Sequence, residues 1–369
     1  MRNLFIFCIS ALFMYACDTV TNNDPADQLS DIIVMDAYIG DEMYSVLLEN
    51  KFSNIKVPGE VFISETRIPV YFEPQGAGSR YFTKWGYTIT CRNGYTIKNL
   101  SRFNLSLQQY DKTKARTALA SWLYRQTGFP VFNSDHCLLK VNNDIQGLYV
   151  LTERIEDGFF ERRNINPYEL IKVVFGAKFT YNQLNTLVDN FEKKIPDDGN
   201  FNNLAELINA IDTTKAEFIS DLQRYLDINE YLRYHALTTI MNNSDGITNN
   251  FYLYKKKPNL PYQLIPWDFD KTFDPKARLQ LYSGNELMDK LMKNKSFKTA
   301  YENELINILN NLFTEENLFP IIDSVHSKIS SAYSLDPYLR NVVSLDNEIN
   351  NLKLFIISRR EYLLQELDL

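Results

Sequence analysis

A polar loop and an acidic block in the second half of the chain carry the residues best suited to chemistry. The loop spans residues 242–250, and in it Asp245 precedes Asn250 by five positions. Two apolar runs follow, and then a Trp-Asp-Phe-Asp block supplies Asp268 and Asp270. Amide and carboxylate oxygens form the hard site that Mg²⁺ prefers, completed by water and phosphate oxygens. The pattern therefore indicates a candidate metal site.

The two apolar runs between these blocks predict a β-hairpin. They are Phe-Tyr-Leu-Tyr at 251–254 and Tyr-Gln-Leu-Ile at 262–265. If the turn centres near Asn259, Asn250 and Asp268 face each other across the ladder, within about 5.5 Å at the backbone. We therefore expect the hairpin to bring this amide and this carboxylate together.

The spacing also matches a protein kinase catalytic loop, where Asp and Asn five apart precede a strand, a turn, a second strand and a metal-binding Asp. Ser244-Asp245 keeps the Asp of that loop but lacks its His-Arg. The alternative is an ordinary surface loop, because Asn, Ser, Asp, Gly and Thr are its usual residues. Spacing alone favours this alternative.

A strand-rich first part and a helix-rich second part would have to position these residues. From Asp31 to about Leu107, short alternating runs broken by Gly, Pro and Asn predict a mostly antiparallel sheet. A helix is predicted at 112–127, with Asp111 as its N-cap. Further amphipathic helices are predicted at 203–211, 215–226 and 228–241, and the tail from Glu286 is helical again. We therefore expect an α+β chain with a β-rich N-lobe at 31–160, a helical C-lobe at 161–369 and a cleft between them.

Composition excludes several classes of function. The net charge of −7 argues against nucleic acid as a partner. Three separated histidines make a zinc site improbable, and His235 lies on the apolar stripe of a predicted helix, which favours core packing. A G-x-S-x-G elbow and a Walker P-loop are both missing from the sequence. Cys91 and Cys137 could form one bridge within the fold, and the sequence leaves that pairing open.

The N-terminus predicts a lipoprotein. Residues 1–16 have the charged start and short apolar run of a secretory signal, too short to span a bilayer as a helix. Ala16 precedes Cys17 directly, so cleavage would leave Cys17 free for acylation; an ordinary signal peptide is the alternative. The polar residues 17–30 predict a disordered tether. We therefore expect a chain anchored by lipid in the cell envelope, periplasmic or at the cell surface.

Several blocks together resemble the CotH family, the atypical kinases related to spore coat protein H. The most specific are the Asn-Asp-Asn loop with its following strand, and Ile-Pro-Trp-Asp-Phe-Asp at 265–270. Weaker blocks are Gly76 to Arg80 with Lys84 and Tyr87; Asp111, Thr113 and Arg116; Gly147 to Tyr149 with Glu153; and Ser358 to Arg360. The resemblance runs from about Asp31 to the C-terminus.

This resemblance implies an atypical kinase-like fold and phosphate transfer from ATP to secreted proteins. Asp245 would be the catalytic base that positions a substrate hydroxyl. Asn250 and Asp268 would hold Mg²⁺ (or Mn²⁺), with Asp270 supporting them or binding a second metal. The implied partners are an exported protein substrate and, through Cys17, a membrane.

Two further residues are candidates for nucleotide contacts. Lys84 follows a Gly-containing loop in a strand-like stretch, which suits a phosphate-facing lysine, although a solvated strand lysine fits equally well. Glu153 could pair with that lysine or lie at the hinge beside adenine; the sequence does not separate these roles. The family usually has two adjacent lysines where this chain has Lys84-Trp85, so an inactive kinase-like scaffold remains the alternative function.

Overall fold

The computed structural model describes residues 32–76, 78–174, 176–177, 179, 186–211 and 218–369. The strands are β1 (Ile33–Tyr38), β2 (Val57–Ile63), β3 (Thr66–Gln75), β4 (Gly86–Cys91), β5 (Arg102–Ser106), β6 (Ser134–Val141), β7 (Asp144–Glu153), β8 (Glu169–Val173), β9 (Phe191–Ile195), β10 (Phe251–Lys255) and β11 (Gln263–Pro266). The helices are α1 (Asp41–Glu49), α2 (Arg116–Gln126), α3 (Asp157–Glu161), α4 (Leu187–Asn190), α5 (Asn202–Ile211), α6 (Phe218–Tyr225), α7 (Ile228–Ile240), α8 (Glu286–Met292), α9 (Lys295–Asn311), α10 (Glu315–Leu335) and α11 (Leu345–Glu366). The predicted α+β class is confirmed, whereas the two-lobed arrangement and the bounds of its lobes stay predictions.

The first seven strands close into a barrel in the order β1-β2-β3-β4-β5-β7-β6. β1 pairs with β6 in parallel, and the other neighbours pair antiparallel. The sequence predicted a mostly antiparallel sheet but did not predict that the sheet closes into a barrel. A parallel pairing between distant strands leaves no turn motif between them, which is why local patterns could not predict it.

Alternation along the strands fills the barrel interior. In β3, Ile68, Val70 and Phe72 are buried while the residues between them are partly exposed. They pack in one apolar cluster with Phe103 and Leu105 of β5. Side chains of period two thus point into the barrel from neighbouring strands, and the interior is a packed core.

A second antiparallel sheet, in the order β11-β10-β8-β9, lies beyond the barrel and packs with the helices in a larger apolar cluster. Helix α7 contributes to this cluster. At its N-terminus the Asp227 side chain accepts a hydrogen bond from the Glu230 amide and caps the helix. His235 is fully buried on α7, with its ring centroid 4.5 Å from that of Tyr231. Burial lowers the pKa of His235 to about 3, so this histidine is a neutral core residue, as predicted.

One helix boundary was predicted wrongly. α2 begins at Arg116, four residues after the predicted start, because Lys114 has a left-handed backbone with φ of 56° that ends helical geometry there. Asp111 is not the N-cap residue. Its carboxylate instead accepts the backbone N–H groups of Thr113 and Arg116 at 2.9 and 3.0 Å, which closes the loop before the helix.

The two cysteines within the described residues are free thiols, with Cys137 buried in the barrel interior. Among the described residues, none of the helices combines the length and the hydrophobicity that a membrane span requires. The predicted signal peptide, the tether and Cys17 lie outside the described residues.

Candidate functional site

The loop that carries Asp245 is held firmly at the end of α7. Residues Ser244–Ile247 form a 3-10 turn, capped by the Asn243 side chain, which accepts from the Gly246 amide. The buried Tyr234 hydroxyl on α7 donates to the Gly246 carbonyl at 2.8 Å. Asp245 lies on this turn, and its carboxylate is 2.8 Å from Lys271 Nζ. The turn therefore fixes the backbone of Asp245, and Lys271 orients its side chain.

The hairpin after this loop forms, with a register one residue away from the prediction. Phe251 pairs with Pro266, and the Trp267 amide donates to the Asn250 carbonyl at 2.9 Å. Asn250 is thus opposite Trp267, and Asp268 lies one position farther on, because the turn centres just before Asn259. The predicted direct facing of Asn250 and Asp268 is wrong.

Asn250 and Asp268 nevertheless both lie near Asp245. Asn250 and Asp268 both have left-handed backbones, with φ of 60° and 57°. Strained or uncommon backbones of this kind cluster at functional sites. Asn250 Nδ2 lies 3.4 Å from Asp245 Oδ2, and the charge of Asp245 acts on Asp268. Asp245 is therefore the residue around which the predicted site assembles.

Carboxylates crowd together at the end of the hairpin. Burial and the nearby Asp245 charge raise the pKa of Asp268. Burial, Asp268 and Asp111 raise the pKa of Asp270 to about 8. Like charges held in a desolvated site are unfavourable unless a proton or a cation neutralises them. The predicted residues Asp245, Asp268 and Asp270 thus form one electrostatic unit.

This unit suits a divalent cation that arrives with other ligands. Within the described residues, no three His, Cys, Asp or Glu side chains are arranged to hold a metal ion by themselves. Mg²⁺ commonly binds one or two carboxylates and takes its other ligands from water and phosphate. Asp268, the Asn250 amide oxygen and phosphate oxygens fit that description.

The ammonium group of Lys84 is already bound by other protein groups. It lies in the loop before β4, outside the strand in which it was predicted, and its side chain is almost fully buried. Its Nζ donates to Asp336 Oδ2 at 2.7 Å and to the Leu148 carbonyl at 2.8 Å, over the ring of Tyr149. Burial lowers the pKa of Lys84 to about 8. Lys84 therefore links the barrel to the end of α10.

Glu153 is likewise saturated by protein groups. It is fully buried at the end of β7, with Arg162 at 2.5 Å and Arg163 at 2.8 Å from its carboxylate oxygens. The Asn133 amide also donates to it at 2.8 Å. The sequence did not predict a role for these two adjacent arginines. They occupy the Glu153 carboxylate, which forms no ion pair with Lys84.

A polar cleft of about 520 Å³ lies between the barrel and the second sheet. Its walls are the β3–β4 connection with Gly76 and Arg80, and the segment that leaves β7 at Arg154. Lys172 and Trp267 line it from the second sheet. Asp268 does not itself line the cleft, but the charge of Lys172, which does, acts on Asp268, so the cleft and the carboxylate unit are neighbours. Gly76 and Arg80 belong to the sequence block at 76–80 described above.

Three basic residues at this site were not predicted. Lys271 forms an ion pair with Asp245. Arg154 donates to Asn104 Oδ1 at 2.8 Å in the cleft wall. Lys172 lies close enough to Asp268 to act on its pKa. Lys271 could have been found, because it directly follows Asp270. Lys172 is one of two charged residues in β8, and its pattern gives no signal of a distant site.

The comparison with protein families identifies the chain. A family model described as CotH kinase protein matches residues 72–363. The chain belongs to the CotH kinase family. It is 23% identical over 330 residues to inner spore coat protein H of Bacillus subtilis (strain 168), covering 85% of this chain and 91% of that one. The family suggested by the sequence motifs is therefore confirmed.

Solved kinase structures also show similarity to this CotH-family chain. The Helicobacter pylori proinflammatory kinase CtkA is 13% identical, with a TM-score of 0.32, covering 85% of this chain and 90% of that chain. The Golgi casein kinase with Mn/ADP bound is 10% identical, with a TM-score of 0.33, covering 88% and 76%.

The Ser-Arg-Arg block at 358–360 lies on α11 and binds neighbouring helices. Arg359 on α11 is buried, and its Nη2 donates to the Thr239 carbonyl at 2.6 Å, near the end of α7. Arg360 donates to the Leu309 carbonyl at 2.9 Å. Arg359 therefore ties α11 to α7 and Arg360 ties it to α9, rather than contacting the carboxylates.

Proposed function

We propose that this CotH-family chain is an atypical protein kinase that uses ATP with Mg²⁺ or Mn²⁺ to phosphorylate Ser or Thr hydroxyls of exported proteins. The observation that carries the proposal is the grouping of Asp245, Asn250 and Asp268 at one end of the hairpin, beside a cleft large enough for a nucleotide. The family match supports the reaction class.

Asp245 acts as the base in this proposal. A substrate hydroxyl beside its carboxylate would transfer its proton to Asp245 as the hydroxyl oxygen bonds to the γ-phosphorus. The bond from that phosphorus to the bridging oxygen breaks, and ADP leaves with the electron pair. Lys271, 2.8 Å from the Asp245 carboxylate, keeps the base oriented and its charge compensated.

Asn250 and Asp268 would hold the divalent cation, with Asp270 as a supporting ligand or the ligand of a second cation. When bound, the cation neutralises the charge of the phosphate oxygens. The burial and mutual repulsion that raise the pKa values of Asp268 and Asp270 support this assignment, because a cation would relieve both.

A second candidate is a kinase-shaped scaffold that binds an envelope protein without turnover. Two contacts favour it: Lys84 is bound to Asp336, and Asp245 is bound to Lys271. The site of an inactive relative could keep such closed pairs permanently. The scaffold predicts no transfer of the γ-phosphate under any metal condition.

Labelled ATP separates the two candidates. The full chain, purified in detergent, is incubated with γ-labelled ATP and Mg²⁺ or Mn²⁺, and autophosphorylation and nucleotide binding are measured. The kinase predicts both signals and their loss in Asp268→Ala. Asp323→Ala removes an exposed carboxylate of α10 and serves as the matched control that keeps them. No signal in the wild type, or an unchanged signal in Asp268→Ala, contradicts the kinase.

Lipid anchoring through Cys17 is a separate proposal. It rests on residues 1–16 and the small residue before the cysteine. Such an anchor would place the chain in the cell envelope, where ATP is scarce and a donor must be supplied. Metabolic labelling with a fatty acid tests it: the wild type should be labelled and Cys17→Ser should not. Labelling that survives the substitution would contradict the anchor.

A further inference from the structure

The basic side chains that line the cleft differ in whether the protein already satisfies them. Arg80, Arg154 and Lys194 each donate hydrogen bonds inside the protein, with shortest distances of 2.8, 2.6 and 2.5 Å. Among the described residues, none accepts a hydrogen bond from Lys172 Nζ or forms an ion pair with it at 4.0 Å or less. Lys172 is thus the lining cation left available to a ligand.

The sheet register directs Lys172 into the cleft. Lys172 pairs with Tyr252 of β10, so the two side chains share one face of the sheet. Leu170, two residues earlier on β8, and Trp267, just beyond β11, line the same cleft. These residues form its floor. The side chain of Lys172 therefore points into the cleft and not into the helical core.

The charge environment of Lys172 matches a phosphate contact. The side chain is partly buried, and desolvation lowers its pKa although Glu192 and Asp268 oppose this change. An ammonium group that is drawn out of water without a partner gains most from an anionic oxygen. Lys172 and Asp268 lie close enough for their charges to act on each other, so Lys172 is on the side of the cleft nearest the proposed metal ligands.

We propose that Lys172, rather than Lys84, is the lysine that binds the phosphate groups of the nucleotide in this cleft. The inference rests on the proposed function, because it needs a nucleotide in the cleft. Lys172 comes from the second sheet, on the same side as Asn250 and Asp268. Lys84, bound to Asp336, acts as a structural link instead.

Comparing ATP with adenosine tests the inference, because only ATP carries the phosphates. Equilibrium binding of both is measured for the full chain with Mn²⁺. Lys172→Met keeps the aliphatic stem and removes the charge. We expect it to weaken ATP binding about tenfold or more and to leave adenosine binding unchanged. Lys172→Arg should recover part of the loss, which a merely structural role of Lys172 does not predict.

Two controls complete the experiment. Lys353→Ala removes a lysine of α11 that does not line the cleft and whose ammonium is already bound to Asp323, and we expect ATP affinity to change by about twofold at most. A matching melting temperature shows that Lys172→Met is folded. Wild-type ATP affinity in Lys172→Met, with Asp268→Ala still deficient, overturns the inference alone. Absence of nucleotide binding in the wild type overturns the proposed function as well.

Discussion

Lys84 Nζ lies 2.7 Å from Asp336 Oδ2, although 252 positions separate the two residues. Asp336 follows α10 and also accepts the Leu148 amide of β7 at 2.8 Å. Both members of the ion pair are nearly inaccessible to solvent, with side-chain exposures of 6% and 0%. The pair therefore fastens the helical tail to the barrel at one buried point.

Breaking this pair should be costly. Asp336→Ala leaves the Lys84 ammonium buried without its partner, and we expect the free energy of unfolding to fall by about 3–5 kcal/mol. Asp323→Ala removes one member of an exposed pair and should cost less than about 1 kcal/mol. Denaturant unfolding of both variants measures the difference. Equal losses would show that the buried pair does not stabilise the fold.

The close approach at Gly147 gives a second test. Gly147 has φ of +103°, and a Cβ there would lie 2.4 Å from Asp336 Oδ2. Gly128→Ala is the matched control, because Gly128 has φ of +90° with open space around it. Backbone strain should cost the control about 1–2 kcal/mol, and Gly147→Ala about 2 kcal/mol more. Similar melting temperatures would contradict the clash.

Removing one carboxylate from the proposed metal site should stabilise the metal-free protein. Asp268→Asn relieves the repulsion with Asp245 and the cost of desolvating a charge, so we expect a rise of a few degrees in melting temperature. Mn²⁺ should raise the melting temperature of the wild type but not of the variant. A variant that is stabilised by Mn²⁺ as strongly as the wild type would argue against Asp268 as a ligand.

Glu230 should make stability depend on pH. Burial raises its pKa to about 7 from an ordinary 4.5, although Leu264 N–H donates to it at 2.6 Å. Its contribution is fully present below pH 4.5 and is lost as pH rises through 7. Between pH 5.5 and 8 the wild type should lose about 2 kcal/mol relative to Glu230→Gln.

Urea unfolding at several pH values measures that difference. The amide of Glu230→Gln can still accept the Leu264 N–H, so the hydrogen bond is kept while the titration is removed. Glu316→Gln, on the exposed first turn of α10, should retain the pH dependence of the wild type. Parallel stability curves for the wild type and Glu230→Gln would rule out Glu230 as the source.

The sequence predicted the parts of the site that are local. The hairpin, the loop of Asp245 and the helical character of 228–241 follow from apolar period and turn residues, and the motifs identified the family. The predicted register was wrong by one residue, because the sequence of a turn of several residues does not determine where the turn is centred. Asn250 and Asp268 have left-handed backbones, which Asn and Asp adopt more often than other non-glycine residues, but residue type alone does not tell which Asn and Asp of the chain do so.

Long-range pairings could not be predicted. Lys84 was chosen because it follows a glycine-containing loop, and nothing near it in sequence reveals Asp336. Glu153 was left between two roles, and the adjacent arginines that bind it come from the segment after α3. Lys172 was missed because a strand lysine is usually solvated, and only the pairing of β8 with β10 turns it toward the cleft.

Closure of the barrel also bears on how the chain folds. Asp36 of β1 and Lys140 of β6 are ladder partners across 104 positions, so this pairing carries a large loop-closure entropy. Contacts of such high sequence separation slow folding. A chain shortened past Tyr38 would leave β2 and β6 with unpaired edges, which can recruit strands from other molecules. The first strand thus completes the domain and also protects it from aggregation.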